Sequence, residues 1–209
     1  MSSTTTKPKS ETRNEAAAST KSTGEHSQPF FHVTGKEIQK FGTVRLFPIG
    51  LAHDTRLYSC QRLNQILADQ QILYALYKKS HWLMRGPTFY QLHLLLDKHA
   101  GELLPMIDEV AERIQALGGV AIGDPRHAAE ITRISRAPDG CEEVPSMISR
   151  LLEAHELILT DARDAAHRTA EMGDDGTNDL IVSTVVRNHE QQVWFLAEHL
   201  VNTPITEKP

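Results

Sequence analysis

Apolar residues recur at helical spacing through most of this chain, and this periodicity restricts the fold more than any other feature. The recurrence every three or four residues predicts four long amphipathic helices, at about 54–82, 89–117, 144–172 and 177–200. Aromatic residues make up only 6% of the chain and hydrophobic residues 40%, as is typical of a Leu/Ala-rich helical core. The sequence therefore predicts an all-α domain.

The connections between these helices are short, long and short. Residues 85–88 and 173–176 contain the Gly and Pro expected of tight turns, whereas residues 120–142 form a long connection with a short helix near 126–134. One long crossover in the middle is the connectivity of a ferritin-like four-helix bundle. We expect Asp54, Thr88 and Thr177 to cap their helices, and Pro105 to kink the second one.

The chain divides by composition into four parts. Residues 1–29 are a polar, low-complexity tail that we expect to be disordered, and residues 30–52 an extended N-terminal segment that packs against the body. Residues 53–202 form the bundle, and residues 203–209 a C-terminal tail. No transmembrane run and no secretory signal is found, and neither Cys60 nor Cys141 belongs to a CxxC pair, so we expect a protein of the reducing cytoplasm.

The second predicted helix carries two pairs of metal-ligand residues on one stripe. His93 and Asp97, and also Asp108 and Glu112, are four residues apart. At about 100° per residue, the four positions fall near 0°, 40°, 60° and 100° around the helix axis. Removing such side chains from water beside an apolar face costs free energy unless a ligand binds them.

Asp97 and Asp108 lie about 16 Å apart along the axis, too far to hold one ion. A second, antiparallel copy of the helix across a two-fold axis would bring His93 and Asp97 of one chain against Asp108 and Glu112 of the other. No Glu is followed three residues later by His, which argues against a di-iron centre inside one bundle. The alternative is a solvated acidic face on an ordinary helix.

His and carboxylate ligands without thiolates suit iron, manganese or zinc. The sequence has no Gly-rich phosphate loop, no GxSxG and no HExxH motif. We interpret six further histidines as surface or internally satisfied residues rather than ligands: His99, His127, His155, His167, His189 and His199. Asp174, Asp175 and Asp179 either complement a helix dipole or form a cation entry funnel around a symmetry axis.

Residues 79–119 resemble the signature of the Dps family, the miniferritins also called DNA-binding proteins from starved cells. The family's ligand spacing is met at His81, His93, Asp97, Asp108 and Glu112. The AER and LGG segments that follow, GDDGT at 173–177 and VWFL at 193–196 also look like this family. The resemblance covers roughly residues 50–200.

This resemblance implies a hollow homododecamer built from two-fold dimers, with ferroxidase centres shared between subunits. Each centre would hold two irons, with His81, His93 and Asp97 from one subunit and Asp108 and Glu112 from its partner, and zinc as a competitor. The family oxidises Fe(II), commonly with hydrogen peroxide, stores the ferric mineral and protects against oxidative stress. A bacterial, cytoplasmic and nucleoid-associated location is implied as well.

Charge is unevenly distributed, which raises a second interpretation. Residues 1–50 carry seven Lys/Arg and four Glu, whereas residues 51–209 carry 15 basic and 23 acidic residues. The tail is therefore either a solubilising segment or an arm that binds DNA when many copies act together. The alternative function is a structural nucleoid protein whose metal site is vestigial or filled with zinc.

Overall fold

A computed structural model describes residues 34–202, and that part of the chain is helical without a β-strand. Helix α1 spans His53–Leu83, α2 Phe89–Ala116, α3 Pro125–Ile131 and α4 Val144–Glu171. The predicted order is confirmed: three long helices, with the long crossover and its short helix α3 lying between α2 and α4. Each long-helix boundary lies within two residues of the expected one.

The fourth long helix has an interruption that the sequence did not predict. It consists of α5 (Asp175–Leu180), a π-helical segment (Ile181–Val186), α6 (Arg187–Ala197) and a 3₁₀ turn (Glu198–Leu200) without a break. Buried Ile181, Val185 and His189 are spaced by four residues. In an α-helix, side chains at this spacing rotate by about 40° around the axis at each step. Wider i→i+5 turns reduce that rotation, so the π segment keeps all three side chains on the core.

Helix α1 packs against α2, α3 and α4, while α4 also packs against α5, the π segment and α6. The core is built from Leu, Ile and Ala of all four long helices, including fully buried Leu63, Leu67, Leu96, Leu103 and Ile158. These contacts confirm an all-α, ferritin-like four-helix bundle. Within residues 34–202, no helix is long and apolar enough to cross a membrane.

The helix caps differ from the expected ones. Helix α1 begins after Ala52 with Asp54 in its first turn, and Thr88 precedes α2 but makes no capping hydrogen bond through its side chain. The cap of α5 is Asp174 rather than Thr177, because the Asp174 carboxylate accepts from the Thr177 backbone N–H at 3.0 Å. Asp174 also accepts from the Ser59 hydroxyl at 2.6 Å and from Arg113 at 2.6 Å, so it ties α5 to α1 and α2.

The end of α2 anchors residues that precede α1. Gly118 has a φ of +85°, and its carbonyl accepts from the Arg45 backbone N–H at 2.8 Å and from the Gln39 side chain at 2.9 Å. Phe41 lies edge-on to His127 of α3, with ring centroids 4.6 Å apart. Gln39, Phe41 and Arg45 thus contact the bundle from a stretch that forms no helix, while the predictions for residues 1–29, 30–33 and 203–209 fall outside the described residues.

Helix α2 continues through Pro105, and the residues on both sides of the proline remain helical. Leu103, Met106 and Val110 are buried on the side that faces the bundle, whereas Asp108 and Glu112 are exposed. The pattern of buried and exposed positions therefore keeps the helical phase across Pro105. The expected division between a core face and an acidic stripe is present.

Candidate metal centre

Two histidines from different helices form the best-ordered part of the candidate centre. The His81 and His93 rings stack, with centroids 3.8 Å apart and planes inclined by 21°. His81 Nδ1 lies 2.7 Å from the His93 carbonyl oxygen, and His93 Nδ1 lies 3.0 Å from the His81 carbonyl oxygen. Because a carbonyl only accepts, both Nδ1 atoms carry the proton, and a neutral ring then leaves its Nε2 lone pair free for a metal.

This reciprocal arrangement follows from where the two residues lie. His81 is in the last turn of α1, where the backbone carbonyls lack partners within the helix, so the His93 ring satisfies one of them. His93 is in the second turn of α2, directly across the short 84–88 connection. The tight turn thus brings the two imidazoles together without any long-range contact.

Asp97 extends the pair one turn further along α2. Its Oδ1 lies 4.0 Å from His81 Nε2 and accepts a hydrogen bond from the Lys78 ammonium at 2.5 Å. This hydrogen bond from Lys78 lowers the pKa of the Asp97 carboxyl below its ordinary value, and the neighbouring His81 and His93 act in the same direction. The carboxylate is exposed and therefore accessible to a cation from solution.

Asp108 and Glu112 lie on the same helix but away from this group. Both side chains are exposed, and neighbouring Glu109 accepts a hydrogen bond from Thr184 of the π segment at 3.1 Å. The eleven residues from Asp97 to Asp108 correspond to about 16 Å along α2. The structure thus brings His81, His93 and Asp97 together and leaves Asp108 and Glu112 apart from them.

The described part of one chain does not form a complete metal centre. Among residues 34–202, no group of three or more His, Cys, Asp or Glu side chains is placed to hold a metal ion. Two imidazole Nε2 atoms and a nearby carboxylate nevertheless form a donor set suited to iron, manganese or zinc. The described residues thus bring two imidazoles and one carboxylate near each other without completing a set of metal ligands.

Lys78 is the residue of this region that the sequence analysis missed. Its position three residues before His81 indicates a place on the same side of α1. Its contact with Asp97, however, depends on the register between α1 and α2, which no spacing within one helix can provide. Lys78 also lies 6.0 Å from the centroid of the exposed Trp82 ring.

Five of the six further histidines divide as expected into exposed and internally satisfied residues, and half-buried His127 packs edge-on to Phe41. His99, His155 and His189 are at most 1% exposed and are hydrogen-bonded inside the bundle, whereas His167 and His199 lie at the surface. Asp174 is buried as a helix cap, so it cannot line a cation funnel, although Asp175 and Asp179 are exposed. Cys60 is a buried core residue and Cys141 an exposed loop residue.

Comparison with known proteins agrees with this architecture. Residues 60–205 match the family described as the ferritin-like domain. An uncharacterised protein of Kitasatospora aureofaciens is 67% identical over 71% of this chain and 99% of its own length. A nutrient stress-induced DNA-binding protein of Nostoc is 30% identical over 81% of this chain and 91% of its own length.

The fold also matches a solved structure along most of its length. DpsC from Streptomyces coelicolor superposes with a TM-score of 0.81 and 72% sequence identity, covering 82% of this chain and 100% of that one. The region shared with DpsC is large enough to contain the whole bundle.

Proposed function

This chain belongs to the Dps family of ferritin-like proteins, and we propose that it oxidises Fe(II) at sites shared between two subunits and stores the ferric product. The observation that carries the proposal is the His81–His93 pair, whose Nδ1 atoms are both occupied by backbone carbonyls. Two Nε2 lone pairs beside an exposed carboxylate, which the described residues of one chain do not complete to a full ligand set, are suited to a metal centre at a subunit boundary.

In the proposed site, His81, His93 and Asp97 bind two irons together with Asp108 of the partner subunit and Glu112 of the partner subunit. The two Fe(II) ions are the substrates and supply one electron each to hydrogen peroxide, which is the oxidant we propose. Delivering both electrons within one pocket avoids release of hydroxyl radical. Zinc fits the same nitrogen and oxygen ligands and would compete.

Exposed apolar side chains support a second copy at this stripe. Taking His93 as zero, Leu104 falls near 20°, Tyr90 near 60° and Leu94 near 100° around α2, among the four ligand positions. All three side chains are at least 49% exposed in the single chain. A two-fold partner would cover this mixed apolar and acidic surface, and we propose that such dimers build a dodecameric cage in the bacterial cytoplasm.

Mixing two inactive variants tests the shared site directly. We would prepare His81→Ala/Asp97→Asn and Asp108→Asn/Glu112→Gln chains, unfold and refold them together, and measure peroxide-dependent Fe(II) oxidation. Each variant alone is expected to be inactive. With random pairing across the two-fold axis, about a quarter of the sites in the mixture regain all five ligands, so activity should return to about a quarter of the wild-type level.

The exposed Glu109, beside Asp108 on the same helix, provides the matched control, since Glu109→Gln should keep wild-type activity. A refolded mixture that assembles normally but stays inactive would contradict a site shared between subunits. Normal oxidation by the Asp108→Asn/Glu112→Gln chain alone would contradict the ligand assignment.

DNA binding is a second candidate function, favoured by the basic residues of the tail and by the name of the Nostoc relative. Residues 1–29 carry only four Lys/Arg against three Glu, so a measurable affinity would require many tails on one particle. Gel shifts of the full chain and of a chain lacking residues 1–29, over a salt series, test this function. A full-length protein that fails to shift DNA at low salt excludes it.

A further inference from the structure

A chain of polar side chains crosses the centre of the bundle, apart from the candidate metal centre. Each long helix contributes one member: Tyr77 from α1, His99 from α2, His155 from α4 and His189 from α6. All four are at most 1% exposed. Burying a phenol and three imidazoles in an apolar core is costly unless their hydrogen bonds are made, so their contacts are informative.

The contacts form a continuous path. Tyr77 Oη lies 2.6 Å from His155 Nε2, and His155 Nδ1 lies 2.8 Å from His189 Nδ1. His189 Nε2 lies 3.1 Å from the Gln70 amide nitrogen, and the Gln70 amide oxygen is buried without a hydrogen-bond partner among the described residues. The Tyr77 hydroxyl has two weaker neighbours at 3.3 Å, His99 Nδ1 and Gln192 Oε1.

Two arrangements of protons fit these distances. In one, the Tyr77 hydroxyl donates to His155 Nε2, His155 Nδ1–H donates to His189 Nδ1, and His189 Nε2–H donates to a Gln70 amide turned to present its oxygen. In the other, every donor is reversed and Tyr77 donates to Gln192. Of these two, only the first has the Tyr77 hydroxyl donate across its shortest contact, where the acceptor, His155 Nε2, is a base.

The protonation states allow His155 to accept a proton from Tyr77. Burial lowers the pKa of His189 to about 3 and that of His155 well below its ordinary value, so both rings are neutral at neutral pH. Burial also raises the pKa of the Tyr77 phenol well above its ordinary value, which keeps it protonated. A neutral phenol therefore faces a neutral imidazole with a free lone pair.

Tyr77 is also close to the candidate metal centre along the chain. It precedes His81 by four residues, about 6 Å along the axis of α1. His99, whose Nδ1 contacts the Tyr77 hydroxyl, follows Asp97 by two residues on α2. Helices α1 and α2, which carry His81, His93 and Asp97, thus also carry the phenol and its His99 neighbour.

We propose that Tyr77 is a reserve electron donor for iron oxidation, with His155 as the acceptor of its proton; this rests on the proposed ferroxidase function. When a pocket holds a single Fe(II), that ion and Tyr77 each give one electron to hydrogen peroxide. Two protons from solvent complete two water molecules. The O–H bond of Tyr77 breaks, its proton stays on His155 Nε2, and a neutral tyrosyl radical remains beside Fe(III). A later Fe(II) returns the electron, and His155 returns the proton.

The test uses the whole assembled protein with less than one Fe(II) per pocket, mixed with hydrogen peroxide and frozen for electron paramagnetic resonance. The wild type should show a tyrosyl radical signal that disappears on further addition of Fe(II). Tyr77→Phe should abolish the signal and increase the hydroxyl radical captured by a spin trap. Tyr74→Phe, which removes a half-buried hydroxyl from the same helix, should leave both readouts unchanged.

His155→Gln tests the proton acceptor, because glutamine can still hydrogen-bond to Tyr77 but is not a base. We expect a weaker signal in this variant, and thermal unfolding of each variant verifies that the bundle remains folded. Iron oxidation without a radical, or with a radical that survives Tyr77→Phe, would overturn this inference and leave the ferroxidase proposal standing. Failure of the wild type to oxidise iron would overturn both.

Discussion

The Lys78 ammonium is paired with the Asp97 carboxylate, which a metal would need as a ligand, so replacing Lys78 should strengthen metal binding. The Lys78 ammonium lies 2.5 Å from Asp97 Oδ1, and an incoming cation has to displace it. We expect Lys78→Met to raise the affinity for Co(II), used as a spectroscopic probe, by about a few-fold, the scale of exposed ion pairs. Lys79→Met is the matched control, because Lys79 instead donates to the Pro138 carbonyl. Equal affinities for Lys78→Met and wild type would refute the competition.

The buried histidines predict how stability depends on pH. An unfolded histidine takes up a proton near pH 6.5, whereas folded His189 does so only near pH 3 and His155 is shifted in the same direction. The unfolded state therefore binds more protons below about pH 6.5. The stabilising effect of the neutral rings, fully present above that pH, is lost as pH falls, by up to about 1.4 kcal/mol per unit for each ring.

Thermal unfolding of the metal-free protein between about pH 7.5 and about pH 5 measures this loss, in a range above the usual titration of carboxylates. His189→Gln should flatten the dependence of Tm on pH. His167→Gln, which changes a 78% exposed side chain, should not. An unchanged slope in His189→Gln would show that this ring does not contribute.

At the residue scale, spacing in the sequence could select candidate ligand residues but not the side chains that contact them. Spacing within α2 was enough to select His93, Asp97, Asp108 and Glu112 as one stripe. Lys78 was missed because its contact depends on how α1 and α2 are aligned. For His155 and His189, the sequence could not separate surface positions from internal hydrogen bonding, because that depends on how α4 docks against the last helix.

At the element scale, the end of α2 depends on a glycine that no other residue can replace without strain. Gly118 has a φ of +85°, and a Cβ added there would lie 2.7 Å from the Arg45 carbonyl oxygen. We expect Gly118→Ala to lower the free energy of unfolding by about 1–3 kcal/mol, measured by chemical denaturation. Gly123→Ala should be close to neutral, since nothing lies within 4 Å of its added Cβ. Equal stability of the two variants would contradict the assigned strain.

Element boundaries were predictable because Gly, Pro and the apolar period mark them independently of packing. The Gly118–Gly119 signal fixed the end of α2, and Gly173 the turn before α5. The π segment at Ile181–Val186 had no such marker. Its wider turns depend on packing, since they keep residues spaced by four on the side that faces the core. Asp174 replaced Thr177 as a cap since its carboxylate also reaches Ser59 and Arg113, contacts made only in the folded bundle.

At the scale of the whole molecule, the proposed two-fold axis would relate positions of α2 in the two subunits whose residue numbers add to the same total. An axis that pairs His93 with Glu112 and Asp97 with Asp108 of the partner subunit also pairs Gly101 with Leu104 of the partner subunit. Leu104 is 50% exposed in the single chain, and nothing lies within 4 Å of a Cβ added at Gly101. The small residue would allow the two copies of α2 to approach closely at the axis.

Leu104→Asp should therefore separate the two copies and empty the metal site, although all five ligands remain in the chain. The two introduced carboxylates lie near the axis, where they repel each other and replace the apolar side chain that faces the partner subunit. We expect the native mass to fall and Co(II) affinity to decrease by more than about tenfold, since losing even supporting groups of a metal site costs about 10–100-fold. Ile38→Asp, at a 98% exposed apolar residue before α1, serves as control and should retain both mass and affinity. Full Co(II) affinity in a Leu104→Asp protein of reduced mass would mean that one subunit binds the metal alone.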